Sequence, residues 1–213
     1  TSWTLTEIDF TDGPYLSENS TSTTLTPSGT TGSVNITASA STFAATDVGR
    51  LVSFSNGRAK ITGFTSATVV AATTQVNFAN TNAVTAWKLG AFSGTTGHPS
   101  CVSFFEQRLV FAGTIAEPQT LYFSKAGDYE NMTTGTNADD AMVYTIASNQ
   151  VNRIRYLKSV RTLIVGTTGG EFTVSADGTD AAVTPTNIVI KKQSSYGTAN
   201  VDAQPAGSSI LFL

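Results

Sequence analysis

The sequence predicts an all-β fold, in which a small β-barrel or sandwich domain is followed by β-propeller-like antiparallel blades forming a partial propeller. The first observation is composition: 36 Thr and 22 Ser make up about a quarter of the 213 residues, whereas Lys, Glu and Leu are scarce. β-Branched and aromatic residues favour strands, and frequent Gly favours turns. The second is a series of short strand-like segments, and the third is an internal repeat.

Charge and cysteine content narrow the possible classes of protein. With 12 basic and 15 acidic residues the net charge is −3, and the sequence lacks the basic stripe of a typical nucleic-acid binder. Cys101 is the single cysteine, so an internal disulfide is excluded. No apolar run approaches the 18 residues of a membrane helix, and Thr1-Ser2-Trp3 does not begin a secretory signal.

Three segments are predicted along the chain. Residues 1–20 contain a strand over Trp3–Phe10 and a linker, residues 21–93 form the small β-barrel domain, and residues 94–213 form the blades. The polar, low-complexity stretch near residue 20 is typical of a surface linker.

The clearest hairpin of the small domain surrounds Asn56-Gly57. Strand-like Arg50–Phe54 and Ala59–Phe64 flank this dipeptide. It suits a type I′ turn because both of its residues tolerate positive φ. Thr68–Ala72 and Ala83–Trp87 are predicted as further strands.

An internal repeat follows the loop Gly94–Pro99. Each unit has three predicted strands, which are Cys101–Phe105, Arg108–Gly113 and Thr120–Ser124 in the first unit and Arg155–Lys158, Arg161–Gly166 and Glu171–Ser175 in the second. Arg108 matches Arg161, and Gly113 matches Gly166, in both cases 53 residues apart. This period is close to that of propeller blades, roughly 40–50 residues.

A third unit begins near the end of the sequence. Gly207–Leu213 resembles the second strand of another blade. Since a propeller needs about four blades to close, the chain is expected to be part of a larger protein. An ordinary sandwich built from similar meanders is the alternative.

Candidate catalytic residues are few. His98 is the single histidine and lies between Gly97 and Pro99, whereas Cys101 begins an alternating strand, so a Cys/His pair is not predicted. The carboxylates Glu106, Asp128 and Glu130 lie in predicted turns and do not form a recognisable glycosidase pair. We therefore predict no catalytic residue and no enzymatic activity.

Metal, phosphate and nucleic-acid motifs are equally weak. Asp139-Asp140 and Asp177–Asp180 lack the full spacing of a calcium loop, and Gly166–Gly170 lacks the lysine of a P-loop. One basic cluster places Arg153 and Arg155 on one strand face, opposite Ile154 and Tyr156, with Lys158 and Arg161 nearby. A solvated outer face is the expected role, so no cofactor-binding or metal-binding residue is predicted.

Several ordered motifs resemble the tail tubular protein B, or nozzle, family of short-tailed bacteriophages. They are Ala86–Ser93, Gly97–Ser100, Phe104–Gly113, Pro118–Ser124, Gly127–Met132, Leu163–Phe172, Thr184–Asn187 and Gln193–Gly197. Upstream, Asp12–Leu16 resembles the strand that precedes an inserted small β domain in these proteins. That insert is similar to the β-barrel module of the first catalytic-cysteine half-domain of ubiquitin-activating enzymes, without its chemistry.

The resemblance implies a structural virion protein built around a β-propeller. It implies self-association, as a hexamer, at the end of a short tail, with a channel through which DNA is ejected. The implied partners are a tail tubular protein A-like adaptor and tail fibres or spikes, and assembly would occur in the host cytoplasm. Proteins of this family are several times longer than this chain. The resemblance carries over no catalytic or ligand-binding residue.

A second class of function stays open at this point. A Ser/Thr-rich β protein with exposed aromatic residues also fits a carbohydrate-binding or receptor-binding adhesin module. Trp3 and Trp87 are the candidate sugar-stacking residues for that alternative.

Overall fold

The computed structural model describes residues 3–4, 9–147, 150–178, 181–206 and 209–213. It is all-β, with one short 3₁₀ turn at Ala45–Asp47 among the described residues. The chain divides into two compact units, Gly13–His98 and the combination of Thr1–Asp12 with Pro99–Leu213. We call them the inserted unit and the main unit, because the main unit is interrupted in sequence by the other.

The inserted unit is a six-stranded antiparallel sheet that curls into a partial barrel. Its strands are β1 (Leu25–Pro27), β2 (Ser33–Ala38), β3 (Leu51–Phe54), β4 (Gly57–Ser66), β5 (Val69–Val76) and β6 (Trp87–Leu89), in the order β1-β2-β5-β4-β3-β6. Leu25 and Val84 exchange backbone hydrogen bonds of 2.9 and 3.0 Å. These bonds connect β1 to the segment entering β6, so the two edges of the sheet approach each other.

One apolar cluster fills the concave side of this sheet. In β2 the residues alternate between exposed and buried, and Val34, Ile36 and Ala38 point inward. Their partners include Phe54, Ile61 and Val70, and strict alternation of this kind is the pattern of a strand with one buried face.

A buried ion pair fastens the 3₁₀ turn to the sheet. Arg50 Nη1 lies 2.9 Å from Asp47 Oδ1, and Arg50 Nε donates to the Gly90 carbonyl at 2.6 Å. Burial lowers the pKa of Arg50, and the attraction of Asp47 opposes that effect. Thr95 Oγ1 also donates to Asp47 Oδ1, so the carboxylate has two side-chain partners.

The predicted hairpin at Asn56-Gly57 exists, but its turn is displaced by one residue. Phe54 pairs with Gly57, and the two turn residues with positive φ are Ser55 (47°) and Asn56 (57°). Gly57 begins β4, where a Cβ would lie 2.7 Å from the Asn77 carbonyl oxygen. Close packing against a distant segment therefore explains this glycine.

The main unit contains two four-stranded antiparallel meanders. Sheet I has β7 (Cys101–Phe105), β8 (Arg108–Ala112), β9 (Thr120–Phe123) and β10 (Met142–Thr145), and sheet II has β11 (Ile154–Ser159), β12 (Leu163–Thr167), β13 (Gly170–Ala176) and β14 (Ile188–Lys192). A further pair comprises β15 (Gln204–Ala206) and β16 (Ser209–Leu211). The prediction of three strands per unit was wrong, because each sheet has a fourth strand beyond a long loop. A four-stranded antiparallel sheet is the unit of a propeller blade.

Sheets I and II share a single apolar core. Val110 and Phe123 from sheet I and Leu163 and Phe172 from sheet II belong to the same cluster, and each is at most 4% exposed. Burying a large apolar side chain of this kind contributes about 1.5–3 kcal/mol. The two sheets are therefore held together mainly by hydrophobic packing.

The matched residues of the predicted repeat are not structurally equivalent. Arg108 is 2% exposed inside β8, whereas Arg161 is exposed in the loop before β12. Gly113 follows β8 with a φ of 76°, whereas Gly166 lies inside β12. The spacing of 53 residues therefore does not define the structural repeat.

The remaining strand predictions have mixed outcomes. Residues 5–8 of the predicted Trp3–Phe10 strand lie outside the described residues, and Phe10 packs edge-on against Phe111 at 5.9 Å between ring centroids. Ala83–Trp87 was wrong as a strand, because only Val84 forms an isolated bridge before β6 begins. Of the predicted strand Gly207–Leu213, the first two residues lie outside the described residues.

Candidate functional site

The histidine and the cysteine occupy different environments in different units. His98 is exposed in the inserted unit, and Cys101 is 8% exposed in the main unit. Burial raises the pKa of the Cys101 thiol, and its Sγ lies 3.8 Å from the Ile154 carbonyl oxygen. A protonated, buried thiol is a packing residue and a poor nucleophile.

The turn carboxylate Glu106 has a structural partner. Its Oε2 accepts a hydrogen bond from the Val183 backbone amide at 2.5 Å. Glu106 and Gln107 form the turn between β7 and β8, with φ values of 46° and 59°. The carboxylate thus ties this tight turn to the loop before β14.

The other acidic residues do not assemble a metal site among the described residues. Asp128, Glu130 and Asp177 are exposed, and Asp180 lies outside the described residues. The described part of the chain has no group of three or more His, Cys, Asp or Glu residues that could hold a metal ion.

Asp140 has a structural role in the loop before β10. The Asn137 backbone amide, followed by Lys125, lowers the pKa of the Asp140 carboxyl group. Lys125 Nζ lies 3.1 Å from Asp140 Oδ1 and 3.9 Å from Asp139 Oδ2. These contacts stabilise the loop and leave Asp139-Asp140 without the ligand set of a calcium site.

A β-bulge interrupts the strand that carries part of the basic cluster. The register of β11 shifts between Ile154 and Tyr156, so Ile154 pairs with Thr167 and Tyr156 with Gly166. Ile154 therefore faces the shared core and Tyr156 faces the opposite side, contrary to the prediction that both share one face. Arg155 occupies the bulge itself.

The two tryptophans differ in accessibility. Trp3 is 95% exposed. Trp87 is half-buried, and its Nε1 donates to the Thr23 carbonyl at 2.9 Å. Trp87 is therefore an anchor of the inserted sheet, and its ring is a poor candidate for stacking on a sugar.

A small polar cavity lies between β7, β11 and the segment that enters β15, and we call it the axial cavity. It measures about 260 Å³. β7 contributes Val102 and Ser103, β11 contributes Leu157–Ser159, and the segment entering β15 contributes Asp202 and Ala203. In a propeller the first strand of every blade borders the central channel. The axial cavity is therefore the candidate functional site of this fold.

The axial cavity is lined mainly by polar groups. Ser103 and Ser159 provide hydroxyls, Lys158 a positive charge and Asp202 a negative charge. This set can hydrogen-bond water and small polar ligands, but it lacks a nucleophile paired with a base. Of these residues, Lys158 belongs to the basic cluster described above, whereas Ser103, Ser159 and Asp202 belong to no site motif in the sequence.

Arg108 is a further residue whose role was missed. Its guanidinium group donates to the backbone carbonyls of Ser124 and Asp140 at 2.7 Å and of Ala138 at 2.5 Å. Burial lowers the pKa of this arginine. Its partners are main-chain atoms, for which a sequence has no signature.

No known protein-family model matches this chain, and no curated protein sequence matches it. Among the described residues, no helix has the length and apolar character required to cross a membrane.

Proposed function

We propose that this chain is a non-enzymatic structural component of a short bacteriophage tail, forming part of the nozzle that surrounds the DNA-ejection channel. The observation that carries the proposal is the arrangement of sheets I and II and the β15–β16 pair. β7, β11 and the segment that enters β15 border one axial cavity in chain order. Consecutive sheets around a common axis are the organisation of a propeller sector, which the resemblance to nozzle proteins implies.

The position of the inserted unit also supports this function. A curled antiparallel sheet over Gly13–His98 interrupts the main unit directly after Asp12. The motif Asp12–Leu16 resembles the strand that precedes such an insert in nozzle proteins. This motif lies directly before the inserted unit, as in nozzle proteins. That position supports the proposal without any use of the repeated sheets I and II.

The charge of the chain suits a conduit for DNA. Each phosphate neutralised by a protein cation adds affinity through counterion release, so a basic channel would retain DNA. A net charge of −3 with 13% charged residues avoids that effect. In this proposal the chain self-associates, as a hexamer, and contacts a tail adaptor and fibres or spikes in the virion.

Immunoelectron microscopy of virions from the source phage tests this function. An antibody raised against this chain is expected to label the distal end of the tail ring. Labelling confined to host cells or to fibre tips, with an unlabelled tail tube, would overturn the proposal. A matched serum absorbed with the purified chain serves as the control.

A further inference from the structure

A cleft of about 800 Å³ opens between the outer strands of sheets I and II. It is lined by Tyr144 and Thr145 of β10 and by Ile146 directly after that strand. Ile188, Ile190 and Lys192 of β14 and the turn at Thr168-Gly169 also line it. It shares no lining residue with the axial cavity. Its volume is in the range of small-molecule sites, about 300–1,000 Å³.

The floor of the cleft is apolar and well packed. Phe172 is 4% exposed and Ile146 is 3% exposed, whereas Ile188 and Ile190 are half-buried. The Tyr144 hydroxyl donates to the Pro185 carbonyl at 2.5 Å, which fixes the ring beside the floor. Ile188 and Ile190 thus leave part of their apolar surface open to the cleft, where the C–H face of a sugar ring could cover it.

The rim of the cleft is rich in hydroxyl and amide groups. Thr145, Thr168 and Ser195 are exposed, whereas Asn152 is 6% exposed and lies against Gly169. A Cβ at Gly169 would overlap the Asn152 amide, so a glycine is needed for this close approach. Hydroxyls and amides both donate and accept hydrogen bonds, as sugar hydroxyls do.

An unusually exposed aromatic ring and one cation complete the lining. Tyr196 is 91% exposed, and its backbone amide donates to Ser194 Oγ at 3.3 Å. A tyrosine combines an apolar ring face with a polar tip, which suits stacking in water. Among the lining residues, Lys192 alone carries a full charge at neutral pH.

We propose that this cleft binds an acidic oligosaccharide. One sugar ring stacks on Tyr196, neighbouring hydroxyls bond to the polar rim, and a carboxylate of the ligand pairs with Lys192. A small inorganic anion would fit this cleft less well than a sugar, because it would leave most of the apolar floor uncovered. The single cation favours a carboxylated sugar over a neutral one.

Isothermal titration calorimetry of the full chain with hexasaccharides tests this site. Hyaluronan and polymannuronate fragments are the acidic probes, and maltohexaose is the neutral comparator. We expect the acidic probes to bind at least about 10-fold more tightly than maltohexaose, a difference of about 1.4 kcal/mol. Lys192→Ala should abolish this preference, Tyr196→Ala should weaken both classes, and Tyr196→Phe should retain binding.

Matched variants outside the cleft separate a specific site from general surface effects. Lys88→Ala removes a cation that lies outside the cleft, and Tyr129→Ala removes a partly exposed aromatic ring that also lies outside it. Both variants should bind the probes as the wild type does. Circular dichroism and thermal unfolding verify that every variant is folded. Absence of binding at millimolar acidic probe, equal affinity for maltohexaose, or wild-type affinity in both cleft variants would each overturn the proposal. None of these outcomes would affect the labelling test of the tail function.

Discussion

Sheets I and II have the same strand order, yet their buried polar side chains differ in how completely they are hydrogen-bonded. In sheet I, Arg108 is buried with its guanidinium group bonded to main-chain carbonyls. In sheet II, the Tyr156 hydroxyl and Glu171 Oε1 are buried without a hydrogen-bond partner among the described residues, whereas Glu171 Oε2 accepts a hydrogen bond from the Ser194 hydroxyl. The same four-strand order is therefore compatible with different sets of polar contacts.

Tyr156 and Glu171 lie in one row across three strands of sheet II. Tyr156 pairs with Gly166, and Gly166 pairs with Glu171. Burial raises the pKa of Tyr156 to about 12, with a smaller contribution from the Glu171 charge, and burial also raises the pKa of Glu171. This row lies on the face of sheet II opposite the shared core, where Phe212 packs against Tyr156 at 6.2 Å between ring centroids.

The largest expected effect comes from Arg108→Ala. The substitution leaves the carbonyls of Ser124, Ala138 and Asp140 without this donor and creates a cavity. We expect the free energy of unfolding to fall by about 3 kcal/mol or more, measured by urea denaturation. The matched control Arg161→Ala, at an exposed position, should change it by less than about 0.5 kcal/mol. Equal effects would contradict the contrast between the sheets.

Gly166→Ala is expected to have the next largest effect. A Cβ at this position would overlap the ring of Tyr156, which is 2% exposed and cannot move into solvent without losing its packing. We expect a loss of about 1–3 kcal/mol from this overpacking. The loss should shrink in a Tyr156→Leu background, and a double-mutant cycle by chemical denaturation measures that coupling. A coupling of zero would exclude the Tyr156 ring as the cause.

Removing one tyrosine hydroxyl from each sheet sharpens the comparison. The Tyr122 hydroxyl of sheet I hydrogen-bonds to Thr114, so Tyr122→Phe should cost about 1 kcal/mol. The Tyr156 hydroxyl has no hydrogen-bond partner among the described residues, so Tyr156→Phe should be close to neutral. Thermal unfolding of the two variants measures the difference. A larger loss in Tyr156→Phe would show that its hydroxyl is bonded.

The smallest expected effect is a gain of stability in Glu171→Gln. Because the folded-state pKa of Glu171 is raised, ionisation opposes folding at neutral pH. The variant should be more stable at pH 7 by about 1 kcal/mol or less. As the pH falls from the raised pKa towards the ordinary value of 4.5, the wild type gains a proton and the difference should disappear. A difference that grows on acidification would contradict this sign.

Local patterns predicted the strands of the blades well but not the strand count. The bounds of β7 agree with the prediction, since Cys101–Phe105 is a short alternating run beside a tight turn. β10 and β14 were missed because long loops separate them from the preceding strands, and pairing over such distances has no local signal. The displaced turn at Ser55-Asn56 has a similar cause, because distant packing at Asn77 dictates Gly57.

The candidate sites depend on residues that gather only in the folded chain. The axial cavity collects Ser103 from sheet I, Lys158 from sheet II and Asp202 from the segment before β15. The cleft places Tyr196 and Lys192 beside Tyr144, which is distant in sequence. A single sequence shows each residue as an ordinary polar or aromatic side chain, so the sites could not be predicted without the fold.

Cryo-electron microscopy of the intact virion tail tests the central claim most directly. We predict a ring with density for sheets I and II as neighbouring blades, and with Ser103 and Lys158 bordering the same blade axis. A tail without this protein, or density in which β7 and β11 do not face a common axis, would contradict the proposed role.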